Sequence, residues 1–173
     1  TFFLPQLSNA HDRPADFQRF GVVTMEASLV IGVLLVVGTV LFGGPVVGLL
    51  LGQKYLGMMD ILVPLAILQA VRSAKTGSSV IALARKQSAN PIVSNLFRVA
   101  SLPVSWLIAV KTGDIIAIIW VGVSAEIMGY IASLYMVHNR ARMSFRPLWP
   151  PLGLTAATYL AAVGVCGGEL EIA

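Results

Sequence analysis

Residues 22–42 of the chain read VVTMEASLVIGVLLVVGTVLF, and this stretch decides the fold. At about 1.5 Å of rise per residue, a helix of this length crosses the roughly 30 Å hydrocarbon core of a bilayer. Its one charged residue is Glu26, which we expect near the membrane interface, about one turn into the span. The stretch therefore predicts a transmembrane helix.

The composition of the whole chain agrees with this interpretation. Its 173 residues are 57% hydrophobic and 12% charged, with a mean hydropathy of +0.83, whereas about 25% of residues are charged in an average soluble domain. We predict an all-α, polytopic transmembrane helix bundle that forms a single membrane region over residues 1–173. Its five spans are expected at about 22–42, 61–84, 92–110, 115–137 and 148–166.

The first apolar run continues as far as Leu51, which is too long for one straight span. Gly43-Gly44-Pro45 is expected to end the helix near Phe42, because proline removes a helix donor and glycine favours a stop. Residues 46–51 would then form an interfacial turn.

Lysine and arginine are distributed unevenly between alternate connections, and this distribution predicts the orientation. One set of connections holds seven of these residues and the other holds Lys54 and Lys111 only. Basic loops stay in the cytoplasm, so residues 1–21, 85–91 and 138–147 are predicted to be cytoplasmic, in a multi-pass protein of the cell (plasma, inner) membrane. The loop cations explain the net charge of +4, and no nucleic-acid partner is expected. The seven residues are Arg13, Arg19, Arg85, Lys86, Arg140, Arg142 and Arg146.

Polar residues recur every three or four positions along three of the predicted spans. Such stripes mark the side of a helix that faces other helices or a wet cavity. Small residues and hydroxyls are explained by helix contact alone, but charges in the middle of a membrane are costly and indicate a functional site. The stripes are Gln69, Arg72, Thr76 and Ser79, flanked by Ser73 and Lys75; then Ser94, Arg98, Ser101 and Ser105; then Gly122, Glu126, Gly129 and Ser133.

The charged members of these stripes predict a cavity for an anionic group. Arg72, Lys75 and Arg98, with Gln69, are the candidate substrate-binding residues, because arginine binds phosphate through its planar donor fork. Glu126 is the candidate for charge balance or ion coupling. Two structural alternatives stay open: Glu126 pairs with Arg72 or Lys75, or Arg98 extends its charge to the cytoplasmic interface.

The sequence contains no catalytic motif and no metal-ligand spacing. Cys166 is the single cysteine, so no internal disulfide can form. Asp60 and Asp114 stand alone at helix ends. We therefore expect no catalytic residue, no metal and no cofactor, and a function other than that of an enzyme. A membrane enzyme acting on prenyl phosphates and a purely structural subunit are weaker alternatives.

Several short motifs are similar to those of a known transporter family. Phe3-Leu4-Pro5-Gln6-Leu7-Ser8, the turn Leu49-Leu50-Leu51-Gly52-Gln53-Lys54-Tyr55-Leu56, the helix end Ala82-Leu83-Ala84-Arg85-Lys86 and Asn90-Pro91 carry the similarity. They resemble polysaccharide-unit flippases of the multidrug/oligosaccharidyl-lipid/polysaccharide exporter superfamily. The resemblance covers roughly residues 1–137.

The resemblance implies a function and a place in a larger protein. The spans would be helices nine to thirteen, in the C-terminal lobe of a transporter of 12–14 helices, and the chain would be a fragment that lacks its N-terminal lobe. Such proteins flip polyprenyl-diphosphate-linked oligosaccharides to the outer leaflet for polysaccharide or lipopolysaccharide biosynthesis, by alternating access. The implied partners are the lipid bilayer and the lipid-linked glycan. The main alternative is a cation-coupled multidrug or small-molecule antiporter of the same superfamily, with Glu126 as the substrate or cation site.

Overall fold

The computed structural model describes residues 14–141 and 146–168. Within these residues the chain forms five α-helices: α1 (Pro14–Leu50), α2 (Met59–Ala84), α3 (Ala89–Lys111), α4 (Ile115–Ala141) and α5 (Trp149–Gly168). Two short 3-10 helices, Gln53–Met58 and Arg146–Leu148, precede α2 and α5. The motif at residues 3–8 and the cations Arg13 and Arg142 lie outside the described residues.

The all-α transmembrane helix bundle is confirmed. Four helical segments of the described chain, within 15–50, 53–84, 89–111 and 115–140, are long and apolar enough to cross a membrane. The fifth predicted span, 148–166, coincides with α5, a helix of 20 residues. The start predicted at Ile115 and the end predicted at Ala84 coincide with the ends of α4 and α2.

The prediction that the first helix breaks near Phe42 is wrong. Helix α1 runs for 37 residues and contains Pro45. Proline removes one donor, whereas unwinding residues 46–50 would leave several backbone groups without partners in an apolar environment, so the helix continues. Because α1 already begins at Pro14, Glu26 lies about three turns inside the helix and not near its start.

Gly52 provides the stop signal for α1 that Gly43 and Gly44 do not. The carbonyl of Val47 accepts hydrogen bonds from the backbone N–H groups of Leu51 (2.9 Å) and Gly52 (3.2 Å). Gly52 then adopts a φ of 98°, in a region that residues with a Cβ rarely enter. The chain can therefore turn sharply here into the 3-10 helix that leads to α2.

Helix α2 is the centre of the bundle, since it packs against α1, α4 and α5. One apolar core joins Phe17 and Met25 of α1 to Ile81 of α2 and Val137 of α4. A second core lies further along the helices, around Val63, Ile67 and neighbouring side chains. Helix α3 packs mainly along α4 and meets α2 at few positions. Helix α3 is therefore joined to the rest of the bundle chiefly through α4.

Candidate functional site

Glu126 lies near the middle of α4, at the junction of α2, α3 and α4, and is 1% exposed. Its two carboxylate oxygens bind different cations. Arg72 Nε donates to Oε1 at 2.9 Å, and Lys75 Nζ donates to Oε2 at 2.6 Å. The structural alternative in which Glu126 pairs with Arg72 or Lys75 is therefore confirmed, and it pairs with both.

The two α2 cations reach one carboxylate because they lie three residues apart, on adjacent turns of the same helix. Each makes one further hydrogen bond. Arg72 Nη1 donates to Gln69 Oε1 at 3.0 Å. Lys75 Nζ donates to Asn95 Oδ1 on α3 at 3.1 Å. The expected grouping of Gln69, Arg72 and Lys75 is therefore present, and Asn95 joins it.

Arg98 approaches the same carboxylate from α3. Its Nε lies 4.0 Å from Glu126 Oε1, which is an ion-pair distance but too long for a hydrogen bond. Its guanidinium makes no hydrogen bond to any residue that the structure describes, and 57% of its side chain is exposed. Since α3 begins at Ala89, Arg98 lies near the middle of the helix. Arg98 is thus the most open of the three cations.

The cluster of Arg72, Lys75, Arg98 and Glu126, called here the cation cluster, has an excess of positive charge. Three cations surround one carboxylate, which leaves two positive charges without an acid within the cluster. Burial differs sharply among the cations, since the Lys75 side chain is 9% exposed and that of Arg72 is 36% exposed. The cluster therefore has a closed side at Lys75 and an open side formed by the two arginines.

A second polar network joins the same three helices, about two turns from Glu126 along α4. Ser133 Oγ donates to Asn90 Oδ1 at 2.7 Å, and Asn90 Nδ2 donates to the Ser133 carbonyl at 3.0 Å. The Oγ atoms of Ser78 and Ser133 are 2.7 Å apart. All three residues are fully buried. This network fixes helix contacts and exposes no ligand group.

At Gly129, α3 approaches α4 closely. A Cβ at this position would collide with the carbonyl oxygen of Ser94. Gly122, in the same stripe, has room for a Cβ, since its nearest neighbour would be Leu68 Cδ1 at 3.7 Å. Gly129 thus marks a close helix contact, as small residues in membranes commonly do, whereas Gly122 does not.

A cavity of about 420 Å³ lies on the opposite side of the α2–α4 pair. Helices α1 and α5 complete its wall, and α4 and α5 make no close backbone approach to each other within the described residues. Almost all of its wall is apolar. Its lining includes Val71, Ala74, Val123, Ile127 and Ala156.

The sequence predicted the charged residues of the site but not Asn95, which bonds to Lys75, nor Ser78 and Asn90, which bond to Ser133. Asn95 and Ser78 lie next to stripe residues and belong to no stripe, and Asn90 stood out only as part of Asn90-Pro91. Asn95 is one residue from Ser94 and three from Arg98, so a wider stripe on α3 would have included it. Thr76 is exposed and bonds only to its own helix, at the Arg72 carbonyl.

No group of three or more His, Cys, Asp or Glu side chains within residues 14–141 and 146–168 is placed to hold a metal ion. Comparison with protein-family models, with curated proteins and with solved structures finds no match to this chain.

Proposed function

We propose that this chain belongs to a transporter that moves a phosphate-bearing, lipid-linked oligosaccharide across the cell membrane by alternating access. The observation that carries the proposal is the charge imbalance of the cation cluster: three cations around one buried carboxylate, in the middle of apolar helices. A charge in the hydrocarbon region is costly, so an excess of two is expected to serve a ligand. A phosphate or diphosphate supplies the negative charge that balances this excess, and guanidinium groups form paired hydrogen bonds to its oxygens.

The resemblance to polysaccharide-unit flippases supports a glycan lipid as the remainder of the substrate. The substrate-binding cavity of this proposal is distinct from the apolar cavity described above. One of its walls is formed by Gln69, Arg72, Lys75 and Arg98, and an N-terminal lobe supplies the facing wall. The bilayer holds the lipid part of the substrate, and residues 1–21, 85–91 and 138–147 face the cytoplasm. Transport needs no covalent step, so the proposal includes no catalytic residue.

The antiporter alternative is less well supported by the same contacts. It requires the Glu126 carboxylate to receive a cation or a cationic substrate. Both of its oxygens already accept hydrogen bonds from cations, and a third cation stands at ion-pair distance. An incoming cation would be repelled by this surrounding charge, whereas an incoming anion would be attracted.

Export of lipid-linked glycan by cells that carry variants of the complete protein tests the proposal. Arg72→Ala is expected to lower the export rate roughly tenfold or more, the equivalent of about 1.4 kcal/mol. Arg72→Lys keeps the charge but loses the planar fork, so a partial loss is expected.

Thr76→Ala is the matched control, because Thr76 lies one turn from Arg72 and bonds only to its own backbone. All variants are compared at equal membrane abundance. Full export by both Arg72→Ala and Arg98→Ala would contradict the phosphate role and leave the arginines as structural ion-pair partners.

A further inference from the structure

Two arginines compete for one oxygen of Glu126. Arg72 Nε and Arg98 Nε both point at Oε1, at 2.9 and 4.0 Å, whereas Oε2 belongs to Lys75. The two Nε atoms therefore cannot be further apart than the sum of these distances. Two guanidinium groups this close repel each other unless an anion lies between them, and in this structure Oε1 is that anion.

The donors of the two arginines are mostly free. A guanidinium has five N–H donors, and Arg72 uses two of them, toward Glu126 and Gln69. Arg98 uses none in a hydrogen bond within the described part of the chain. Lys75, by contrast, is buried and makes hydrogen bonds to Glu126 and to Asn95. A ligand can therefore reach the arginines without disturbing Lys75.

We propose that Glu126 is an internal competitor of the anionic ligand: Oε1 occupies the place between Arg72 and Arg98 that a phosphate oxygen takes when the ligand binds. This inference rests on the proposed function, since it assumes a phosphate-class ligand at the cation cluster. Lys75 stays hydrogen-bonded to Oε2, so the carboxylate keeps one contact while a phosphate oxygen takes the position of Oε1 between the two arginines. Glu126 is thus a residue that sets affinity and specificity, because only an anion able to bind two guanidinium groups displaces it.

The competition predicts an effect opposite to that of a supporting residue. Glu126→Gln removes the competing charge and should tighten the binding of inorganic diphosphate roughly tenfold or more. A residue that merely positions the arginines should weaken binding when it is changed. Arg98→Ala should abolish measurable binding in the wild-type and in the Glu126→Gln background, because the most open donor is lost.

A double variant separates competition from simple gain of charge. Lys75→Met combined with Glu126→Gln leaves the net charge of the cluster at its original value and frees both arginines. We expect this double variant to bind diphosphate roughly tenfold more tightly than the wild type. If it does not fold, Glu126→Asp keeps the counter-ion of Lys75 on a shorter side chain and should tighten binding several-fold.

The experiment is calorimetric titration of the purified complete protein, in neutral detergent, with sodium diphosphate. Folding of each variant is checked by helical circular dichroism and size-exclusion chromatography. If Glu126→Gln binds diphosphate more tightly and the folded double variant does not, competition by Glu126 is overturned and only an effect of net charge is left. If the wild type binds diphosphate through Arg98, but neither Glu126→Gln nor the double variant binds it more tightly, the inference is overturned and the phosphate site remains. No binding by any variant would overturn both the inference and the proposed function.

Discussion

The two sides of the α2–α4 pair differ in the contacts that their side chains make. On one side Arg72, Lys75 and Glu126 form ion pairs of 2.6 and 2.9 Å. On the other side Val71 and Ile127, which directly adjoin Arg72 and Glu126 in the sequence, line an apolar cavity of about 420 Å³. A rotation of about 100° separates consecutive residues of a helix, so the same two helices present directional contacts on one side and open space on the other. We expect the first side to be sensitive to small changes and the second to tolerate them.

The largest expected effect is the loss of the central carboxylate. Glu126→Leu should lower the free energy of unfolding by about 3–5 kcal/mol, because it leaves Lys75 buried without a counter-ion. The combination of Lys75→Met and Glu126→Leu should recover much of this loss, since an apolar pair can replace a buried ion pair at little cost.

Unfolding by titration with a denaturing detergent measures these differences. Ser124→Leu is the control, as Ser124 is exposed on the same helix and bonds to its own backbone at the Trp120 carbonyl. Its effect should be within about 0.5 kcal/mol. If Glu126→Leu were as stable as the control, the distinction between the two sides would fail.

A smaller effect is expected where α3 approaches α4. Gly129→Ala should cost about 1–3 kcal/mol, because the new methyl group meets the Ser94 carbonyl oxygen and the helices must separate. Gly122→Ala lies in the same stripe of α4 with room for the methyl group, and should be neutral or slightly stabilising, since alanine favours a helix. The same unfolding titration compares the two variants. Equal effects at both positions would show that the small residues of the stripe do not act through close packing.

The smallest expected effect is on the cavity side. Ala156→Leu adds apolar volume to an exposed part of the cavity wall, so we expect a change within about 0.5 kcal/mol. Ala70→Leu makes the same chemical change at a residue with 0% exposure, and overpacking there should cost about 1–3 kcal/mol. The two variants are compared by thermal unfolding in detergent. A cost at Ala156 as large as that at Ala70 would mean that the cavity wall is as constrained as the core.

The sequence alone predicted the helices and the charged part of the site for a simple reason. Long apolar runs admit few structures in a bilayer, and spacing by three placed Arg72 and Lys75 on adjacent turns. The sequence did not indicate that Asn95 binds Lys75 or that Ser133 binds Asn90, since such contacts depend on which helices are neighbours and how each is rotated. The continuation of α1 through Pro45 was missed because a local stop signal competes with the cost of unpaired backbone in an apolar environment.

The length of α1 has a consequence for how the protein fits its membrane. From Val22 to Leu50 the helix carries Glu26 as its one charged residue and rises roughly 43 Å, against a hydrocarbon thickness of about 30 Å. To match that thickness by tilting alone, the helix would need a tilt of roughly 45° from the bilayer normal, beyond the usual range of about 0–40°. Leu49 and Leu50 are 85% and 74% exposed at the far end. The helix can therefore kink at Pro45, the bilayer around it can thicken, or these last turns can meet another apolar surface. Each outcome also constrains the tilt of α2, which packs along α1.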